Sequence, residues 1–489
     1  MNWRLSSFIF AILALNLQSC RSKPTRSELP LEPLPSEIAS ASRSNIEASS
    51  EAKDPALAPS SDEIELHDPI AQLLQPWWQG WIPELDQTLD QMNNHNLALL
   101  QQNAQLDILR YQNNIVEANG QPRLNASAKW TETQNRGKDT RDQSNHSPSI
   151  GFLASWEIDL WGRLKSERQT AHLQVQWAQF QKEQIQHSLA SEMVKAWINF
   201  AALSTQEGLL KQQIEGQRAL LDLTESRMRQ GLSNAQELWQ QRESLYALQK
   251  ALAPLANQQK LLSSSIQLLS GAELNTSLAL PKPEGMFERK NPFPSSIPSQ
   301  ILSGHPSVKM AWNRLLQADE YQHQIKTLRY PSLSLSASAM LTASQHENLF
   351  QNWINQLAAT LLLPIFDGEQ RKNNLSMAQV KVQAALLNYR DAVRQSYIEI
   401  EQSLGQAQQI QAALEWQTQE YSAQQHILRE AEQRSSMAQE SASNVWRFRQ
   451  SCYVSERQLQ QKKAELLLAY VAIQKTLGPP LSPLKPNEQ

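Results

Sequence analysis

The chain has 489 residues, of which 40% are hydrophobic and 19% are charged, and its formal net charge at pH 7 is -3. The mean hydropathy of -0.53 excludes a protein built from several membrane-spanning helices. The small net charge gives no general basic surface, which argues against nucleic-acid binding. With 14 glycines and 24 prolines the sequence favours long helices, and its 2 cysteines form neither a disulfide framework nor a metal cluster.

Residues 1–19 have the pattern of a signal peptide. Arg4 provides the positive charge, residues 8–17 are apolar, and Leu17-Gln18-Ser19-Cys20 is the expected cleavage site. The site resembles a bacterial lipobox, in which Cys20 becomes the lipidated first residue and the following Arg21 favours sorting to the outer membrane. Gln18 replaces the usual small residue, so an ordinary signal peptide with an incidental cysteine is the alternative.

Residues 20–76 are interpreted as the lipidated N-terminus and a tether. From residue 21 to about residue 68 the chain is rich in Ser, Pro, Glu and Ala and lacks apolar periodicity, which predicts disorder. Order is expected from Trp77, where three tryptophans lie within five residues. They either anchor the chain at a membrane interface or cap the first helix.

Four segments alternate between apolar and polar residues, as half-buried strands do. Each has the length of a membrane-spanning strand, about 9 to 11 residues. Polar loops are predicted at residues 134–146 and 342–352. The apolar rows are Leu124, Ala126, Ala128 and Trp130; Ile150, Phe152, Ala154, Trp156, Ile158 and Leu160; Leu333, Leu335, Ala337, Ala339 and Leu341; and Leu357, Ala359, Leu361, Leu363 and Ile365.

Long helical patterns precede and follow the strands. Residues 85–118 predict a first helix from their apolar spacing of three and four. Residues 164–228 lack proline and predict a helix of roughly 100 Å. Residues 236–269 predict its antiparallel partner, which Pro254 should kink.

Between these two helices, Gly231 suits a left-handed helix end, and Ser233 or Asn234 suits the cap of the next helix. The pair therefore forms a helical hairpin.

The same order of elements occurs twice at an offset of 206 to 209 residues, which indicates an internal duplication. Pro122 matches Pro331, Gly162 matches Gly368, and Glu225 matches Glu432. The predicted organisation is a first repeat at residues 77–280, a linker at 281–298, a second repeat at 299–478 and a tail at 479–489. The second repeat has helices at 301–328, 369–437 and 443–477.

Four strands cannot close a barrel, because about eight are needed even when side chains fill the interior. Lipid does not tolerate an open sheet edge. If the strands span a membrane, the chain must assemble into a ring. Two copies would give eight strands, and three would give twelve with room for a pore.

The motifs resemble those of the TolC-like outer-membrane efflux ducts, most closely their lipoprotein, OprM-like branch. The resemblance covers about residues 77–478. It rests on the duplication and on two strand-to-helix junctions, the Tyr330-Pro331-Ser332-Leu333 segment and the first hairpin tip. The junction residues are Trp156, Asp159, Trp161 and Gly162 in the first repeat and Pro364, Phe366 and Gly368 in the second.

The resemblance implies a mainly α-helical fold with membrane β-strands. A homotrimer would form a twelve-stranded outer-membrane barrel, with four strands per chain, continued by a long α-helical barrel in the periplasm. The duct would be a passive exit for small molecules. Its partners would be a periplasmic adaptor, an inner-membrane pump of the RND type, and outer-membrane lipid.

The family's adaptor-binding role falls on the first hairpin tip, at Arg229, Gly231, Leu232 and Ser233. The second tip contains Met437, Ala438 and Gln439 where the family usually has a glycine, so this hairpin is expected to turn differently. His305-Pro306-Ser307 also departs from the family's Arg-Pro-Asp.

No spacing typical of a catalytic, metal or cofactor site is present, so we expect neither enzymatic activity nor a cofactor. His172 and His187 are interpreted as ordinary helix residues, and Cys452 as a packed thiol. Glu157 and Asp159 share a strand face and are candidates for acidic groups lining the lumen.

Two alternatives to the efflux duct remain. One is a periplasmic coiled-coil structural lipoprotein without a pore, which has no need of four alternating segments. The other is a secreted enzyme, which lacks a candidate site. The transported cargo is not readable from the sequence.

Overall fold

The computed structural model describes residues 37–39, 75–137, 140–272, 296–342 and 353–478. The strands are β1 (Glu37–Ala39), β2 (Arg123–Gly137), β3 (Thr140–Ile158), β4 (Ser296–Pro298), β5 (Ser332–Thr342) and β6 (Trp353–Leu362). The helices are α1 (Pro83–His95), α2 (Leu97–Asn119), α3 (Arg163–Arg229), α4 (Ala235–Leu252), α5 (Leu255–Ser270), α6 (Pro306–Thr327), α7 (Gln370–Ser436) and α8 (Ala442–Leu477). A 3-10 helix covers Ser299–Gly304.

Strands β2, β3, β5 and β6 form one antiparallel sheet in that order. The register places those residues of the predicted apolar rows that lie within the strands on a single face. Trp156 lies opposite Leu335, which in turn lies opposite Ala359. The alternation of the sequence therefore runs through all four strands.

The helices next to the sheet lie side by side in the same spatial order as the strands to which they are joined. Next to the sheet, α2 packs on α3, α3 on α6, and α6 on α7. Further from the sheet, α4 and α5 pack on α3, α3 packs on α8, and α8 packs on α7. The helices α3 and α7 have 67 residues each. The first residue of α7 lies 207 positions after that of α3, and the same offset separates their last residues. This confirms the internal duplication.

The largest core cluster lies around the C-terminal half of α8. Its buried members include Trp78, Trp197, Tyr470 and Ile473, together with Ile301 from the 3-10 helix. Among the described residues, no helix is both long and apolar enough to cross a membrane.

The structure corrects several predicted boundaries of the first repeat. The first helix is broken at Asn96, whose side chain caps α2 and donates a hydrogen bond to the Leu269 carbonyl. Residues 134–137 and 140–146, predicted as loop, belong to β2 and β3. The interruption predicted at Pro254 is confirmed, because it separates α4 from α5.

Other corrections concern the second repeat and the tether. Strand β6 ends at Leu362, so Leu363 and Ile365 lie beyond it. Leu160 of the first repeat likewise lies beyond the end of β3 at Ile158. Residues 299–304 form the 3-10 helix rather than the start of an α-helix. Glu37–Ala39, within the predicted tether, pair with Ser296–Pro298 of the predicted linker. The signal peptide, Cys20, the loop at 343–352 and the tail lie outside the described residues.

Candidate functional site

The four-stranded sheet exposes a continuous apolar face. Two leucines on this face show how open it is: Leu124 of β2 is 70% exposed, and Leu357 of β6 is 83% exposed. A sheet in water would bury such a face against a core, whereas lipid solvates it. The opposite face carries Ser127, Ser155 and Ser334, so one side is apolar and the other is polar.

Both outer strands of this sheet have a free edge. Within the described part of the chain, β2 pairs only with β3, and β6 pairs only with β5. Because an unpaired backbone edge is costly in lipid, a single copy is incomplete as a membrane structure.

Each strand-to-helix junction is closed by an aspartate at the helix start. The Asp159 carboxylate accepts a hydrogen bond from the Lys165 backbone N–H at 2.8 Å, and Asp367 accepts one from Arg371 at 3.0 Å. A negative charge there also complements the helix dipole. Gly162 and Glu369, which precede the two helices, both have a left-handed backbone.

Tryptophans fix the first junction to neighbouring elements. The Trp161 indole donates a hydrogen bond to the Pro331 carbonyl at 2.7 Å, and the Trp156 indole donates one to the Gly120 carbonyl at 3.1 Å. In the second junction Gly368 has a positive φ of 63°, and Pro364 and Phe366 lie beyond the end of β6. Phe366 is exposed, so an apolar side chain is left uncovered shortly after the edge strand β6 ends.

Glu157, one of the two acidic lumen candidates, lies on the polar face of β3 and is paired. Two nitrogens of Arg163 bind its carboxylate, with contacts of 2.8 and 2.9 Å from Nη2. Arg163 also contacts Glu167 at 3.2 Å. Glu157 and Asp159 therefore both have local structural partners, in addition to any role as acidic groups lining a lumen.

The first hairpin tip has the predicted geometry. Gly231 has a φ of 74°, and the Leu232 N–H donates to the Arg227 carbonyl at 2.8 Å, which closes the end of α3. The Asn234 side chain caps α4 by accepting a hydrogen bond from Glu237 N–H. The Ser233 hydroxyl instead donates to the Glu237 carboxylate. Arg229, Gly231 and Leu232 are exposed at this tip.

The second tip turns in the same way, so the expectation of a different turn was wrong. Ala438 has a φ of 60° and lies 207 positions after Gly231. The Gln439 N–H donates to the Arg434 carbonyl at 2.9 Å, and Ser441 caps α8. Met437 and Gln439 are exposed beside Ala438.

A repeated triad stabilises each hairpin near its tip. Arg242 binds Glu225 at 3.0 Å and lies over the Trp239 ring, 5.2 Å from its centroid. In the second hairpin Arg449 binds Glu432 and lies over the ring of Trp446. The matching offset was visible in the sequence, but the contacts were not.

The N-terminal tryptophans and Cys452 pack inside the protein and contribute to its structure. Trp78 is 2% exposed and belongs to the core, and the Gly80 N–H donates to Asp86 in α1, which favours the capping interpretation of the tryptophans over the interface anchor. Cys452 is buried, and that burial raises the pKa of its thiol, as do the nearby Glu456 and Glu432, which agrees with a packed thiol. The described residues contain no group of His, Cys, Asp and Glu suited to hold a metal ion.

The two histidines interpreted as ordinary helix residues, His172 and His187, have different surroundings. His172 is exposed and contacts Gln176 at 3.1 Å. His187 is buried, and its Nε2 lies 2.8 Å from the Gln474 carbonyl. Burial lowers the pKa of His187, the hydrogen bond to Gln474 opposes this, and Lys475 adds to the lowering.

Burial also lowers the pKa of His305 to about 4, against the effect of a hydrogen bond to the Thr476 backbone and together with that of nearby His187. Its Nδ1 lies 3.3 Å from the Ser307 N–H and 3.1 Å from the Ser396 hydroxyl. The histidine that replaces the family's arginine thus caps α6 as a neutral ring.

An amphipathic membrane sheet with two free edges, continued at each junction by a long helical hairpin, defines a subunit of an outer-membrane channel. The profile of the family "Outer membrane efflux protein" matches residues 88–272 and 297–479. The chain belongs to this family, which consists of channel proteins.

Individual relatives agree with the family match. The pyoverdine export outer membrane protein OpmQ of Pseudomonas putida is 26% identical over 420 residues, which are 83% of this chain and 88% of that protein. The probable outer membrane lipoprotein SilC of Salmonella typhimurium is 20% identical over 347 residues, 70% of this chain and 74% of that protein.

A crystal structure of CusC, studied for transmembrane channel formation, superimposes with a TM-score of 0.74 at 18% identity, covering 91% of this chain and all of that one. The chain has the fold of these channels, and it is an outer-membrane efflux channel.

Proposed function

We propose that three copies of this chain close a twelve-stranded barrel in the outer membrane and form the exit duct of a tripartite efflux system. The observation that carries the proposal is the pair of free edges at β2 and β6. The strands alternate in direction, so β6 of one copy meets β2 of the next in antiparallel orientation. Three copies supply twelve strands, which leave a wider interior than the side-chain-filled barrel of about eight.

The helices at the same two edges support this closure. Helix α2, which precedes β2, exposes Leu97 and Tyr111, and helix α7, which follows β6, exposes Val380 and Leu387. Exposed apolar side chains on both edges of one layer fit contact between copies. The helices would then form the periplasmic barrel below the membrane strands.

The duct is a passive path, and a partner pump supplies the energy. The exposed tips at Arg229–Ser233 and Met437–Gln439 would meet the helical hairpins of a periplasmic adaptor, which joins the duct to an inner-membrane pump of the RND type. The cargo class is small molecules; the similarity to a pyoverdine exporter makes siderophores the first class to test.

The N-terminal residues complete the proposal. Removal of residues 1–19 would leave Cys20 as the lipid-bearing residue, and residues 20–76 would run from the membrane to the first repeat. The similarity to a probable outer membrane lipoprotein supports this anchor. Strand β1 would attach the tether to the linker between the repeats.

The first experiment is single-channel recording of the detergent-purified protein in a planar bilayer, with native mass spectrometry of the same sample. Three-chain particles that give discrete conductance steps are the expected result. If three-chain particles give no steps, the recording is repeated with variants of the hairpin tips, because a closed tip would seal the duct. Conductance steps should then appear.

Monomers or rods that never conduct, with or without tip changes, would favour the structural lipoprotein without a pore. A Cys20→Ala variant separates the anchor from the duct. It should lose its fatty-acid label but keep the conductance of the wild type.

A further inference from the structure

The two helical hairpins meet within one chain along a contact between α3 and α8, which we call the inner seam. Arg227 Nη1 donates a hydrogen bond to the Ser443 hydroxyl at 2.8 Å. Gln450 Nε2 donates to the Gln213 carbonyl at 3.1 Å. Trp446 packs against Gly216, where an added Cβ would lie 3.2 Å from the ring.

The duplication predicts a second seam of the same design. A shift of 207 positions maps α3 on α7 and α8 on α4. The inner-seam residues of α3 then correspond to Glu420, Ala423 and Arg434 of α7, and those of α8 correspond to Gln236, Trp239 and Glu243 of α4. In one chain α4 and α7 lie at opposite edges of the hairpin layer, so these residues do not meet.

The exposure of the aromatic residues indicates what covers them. Trp446 and Tyr453 of α8 are partly buried in the chain. Their counterparts on α4, Trp239 and Tyr246, are 62% and 61% exposed. Since α3 packs against Trp446 at Gly216, the matching face of α7 from a second copy is the surface that would cover Trp239.

We propose that α7 of one copy packs on α4 of the next to form an outer seam, in which the Glu243 side chain meets the Glu420 backbone carbonyl, the counterpart of the Gln213 carbonyl. This rests on the ring assembly of the proposed function. At this place the inner seam has the bond from Gln450 to the Gln213 carbonyl. The outer seam instead has the Glu243 carboxylate against a backbone carbonyl, so this hydrogen bond is missing. It is therefore the weaker seam and parts first when the tips separate.

The chemistry of the exchanged residues gives the direction of the effect. A glutamine amide donates to a carbonyl, whereas a glutamate carboxylate at pH 7 can only accept. Two acceptors placed against each other leave both without a hydrogen bond across the seam. The Ala423 methyl stands where Gly216 leaves room for the indole, which holds Trp239 further out. Arg434 and Gln236 keep one attractive contact at the tip, because a guanidinium donates to a side-chain carbonyl.

Crosslinking tests the placement of the outer seam. Glu243→Cys and Glu420→Cys are combined in the full chain with Cys452→Ser, and the assembled protein is treated with a short bis-maleimide. The matched control combines Gln213→Cys with Gln450→Cys.

We expect covalent dimers and trimers from the glutamate positions, and only an internally linked monomer from the glutamine positions. If the control links within the chain and the glutamate pair gives no multimers, the outer seam is not built as proposed.

Conductance tests the role of the Glu243 carboxylate. Glu243→Gln should lower the open probability of the channel several-fold, because the amide can donate to the Glu420 carbonyl as Gln450 donates to that of Gln213. Gln450→Glu, which introduces a carboxylate in the inner seam, should raise it. Unchanged open probability in both variants would overturn the carboxylate role.

The two proposals fail separately. A wild-type protein that neither assembles nor conducts would overturn the duct itself. A conducting three-copy assembly without crosslinks at the outer seam would overturn only this inference.

Discussion

Ala438 holds a backbone conformation that glycine adopts at the equivalent place in the first hairpin. Its φ is 60°, and Gly231 has a φ of 74°. A left-handed conformation costs a residue with a Cβ about 1 kcal/mol. We predict that Ala438→Gly stabilises the second tip by about this amount, seen as slower hydrogen exchange of the amides that follow the turn.

Gly231→Ala is the matched control for this residue. It places the same methyl group in the same turn of the first hairpin, where no atom lies within 4 Å of the added Cβ. Exchange at the first tip should become faster by a similar factor. Equal exchange in the parent and both variants would show that the turns bear no such strain.

His305 makes the stability of the protein sensitive to acid. Its pKa is lowered to about 4, mainly by burial, whereas the ordinary value is 6.5. Between these values the unfolded chain binds the proton and the folded chain does not, so stability is full above pH 6.5 and falls as the pH drops towards 4. The difference corresponds to about 3 kcal/mol at most.

Denaturant unfolding at several pH values checks this prediction. His305→Asn keeps a side chain that can cap α6 but removes the titrating ring. The loss of stability between pH 7 and pH 4.5 should be smaller in this variant than in the wild type. His187, with its own lowered pKa, and carboxyl groups with lowered pKa values such as Glu192 contribute to the part that remains. Parallel pH profiles would contradict the role of His305.

At the scale of the elements, Gly151 fixes how closely β3 approaches β5. An added Cβ would lie 2.5 Å from the Ala339 carbonyl oxygen and 2.8 Å from the Met340 Cα. Both contacts are with backbone, which cannot rotate away. We predict that Gly151→Ala destabilises the sheet by about 1–3 kcal/mol.

The temperature at which the assembled sheet unfolds in detergent measures this loss. Ser155→Ala is the control, because it lies on the same strand and adds no atoms. Only the glycine variant should unfold at a lower temperature. A similar decrease in both variants would point to a general effect of changing β3.

The elements differ in how far the sequence determines them. The four strands and both junctions follow from local alternation and from Gly162, Asp159 and Asp367, which act within a few residues. The break at Asn96 does not, because the capping side chain is held by the distant Leu269 carbonyl. An Asn-Asn-His-Asn run at residues 93–96 was the available signal.

Strand pairing that does not follow an apolar pattern was also not predictable from the sequence. The polar residues 134–137 and 140–146 have no apolar rhythm, so their strand structure depends on each other's backbone rather than on burial. The pairing of Glu37–Ala39 with Ser296–Pro298 joins segments more than 250 positions apart, which no local pattern encodes. At the tips the sequence offset predicted equivalent positions, but only the structure shows that Arg227 joins the two hairpins.

At the scale of the whole channel, the polar face of the sheet would line the ion path of the proposed duct, so its charges would influence which ions pass. Glu157 lies on that face, but Arg163 binds its carboxylate at 2.8 and 2.9 Å, so the two charges offset each other. We therefore expect this pair to contribute little cation preference in the wild type. Charge should appear only when one partner is removed.

Reversal potentials in a salt gradient measure the effect. Glu157→Gln leaves the arginine and should shift the potential towards anion preference; Arg163→Gln leaves the glutamate and should shift it towards cations. The double variant should return close to the wild-type value. Opposite shifts that cancel can arise only if both groups face the ion path, whereas unchanged potentials in both single variants would place this pair outside it.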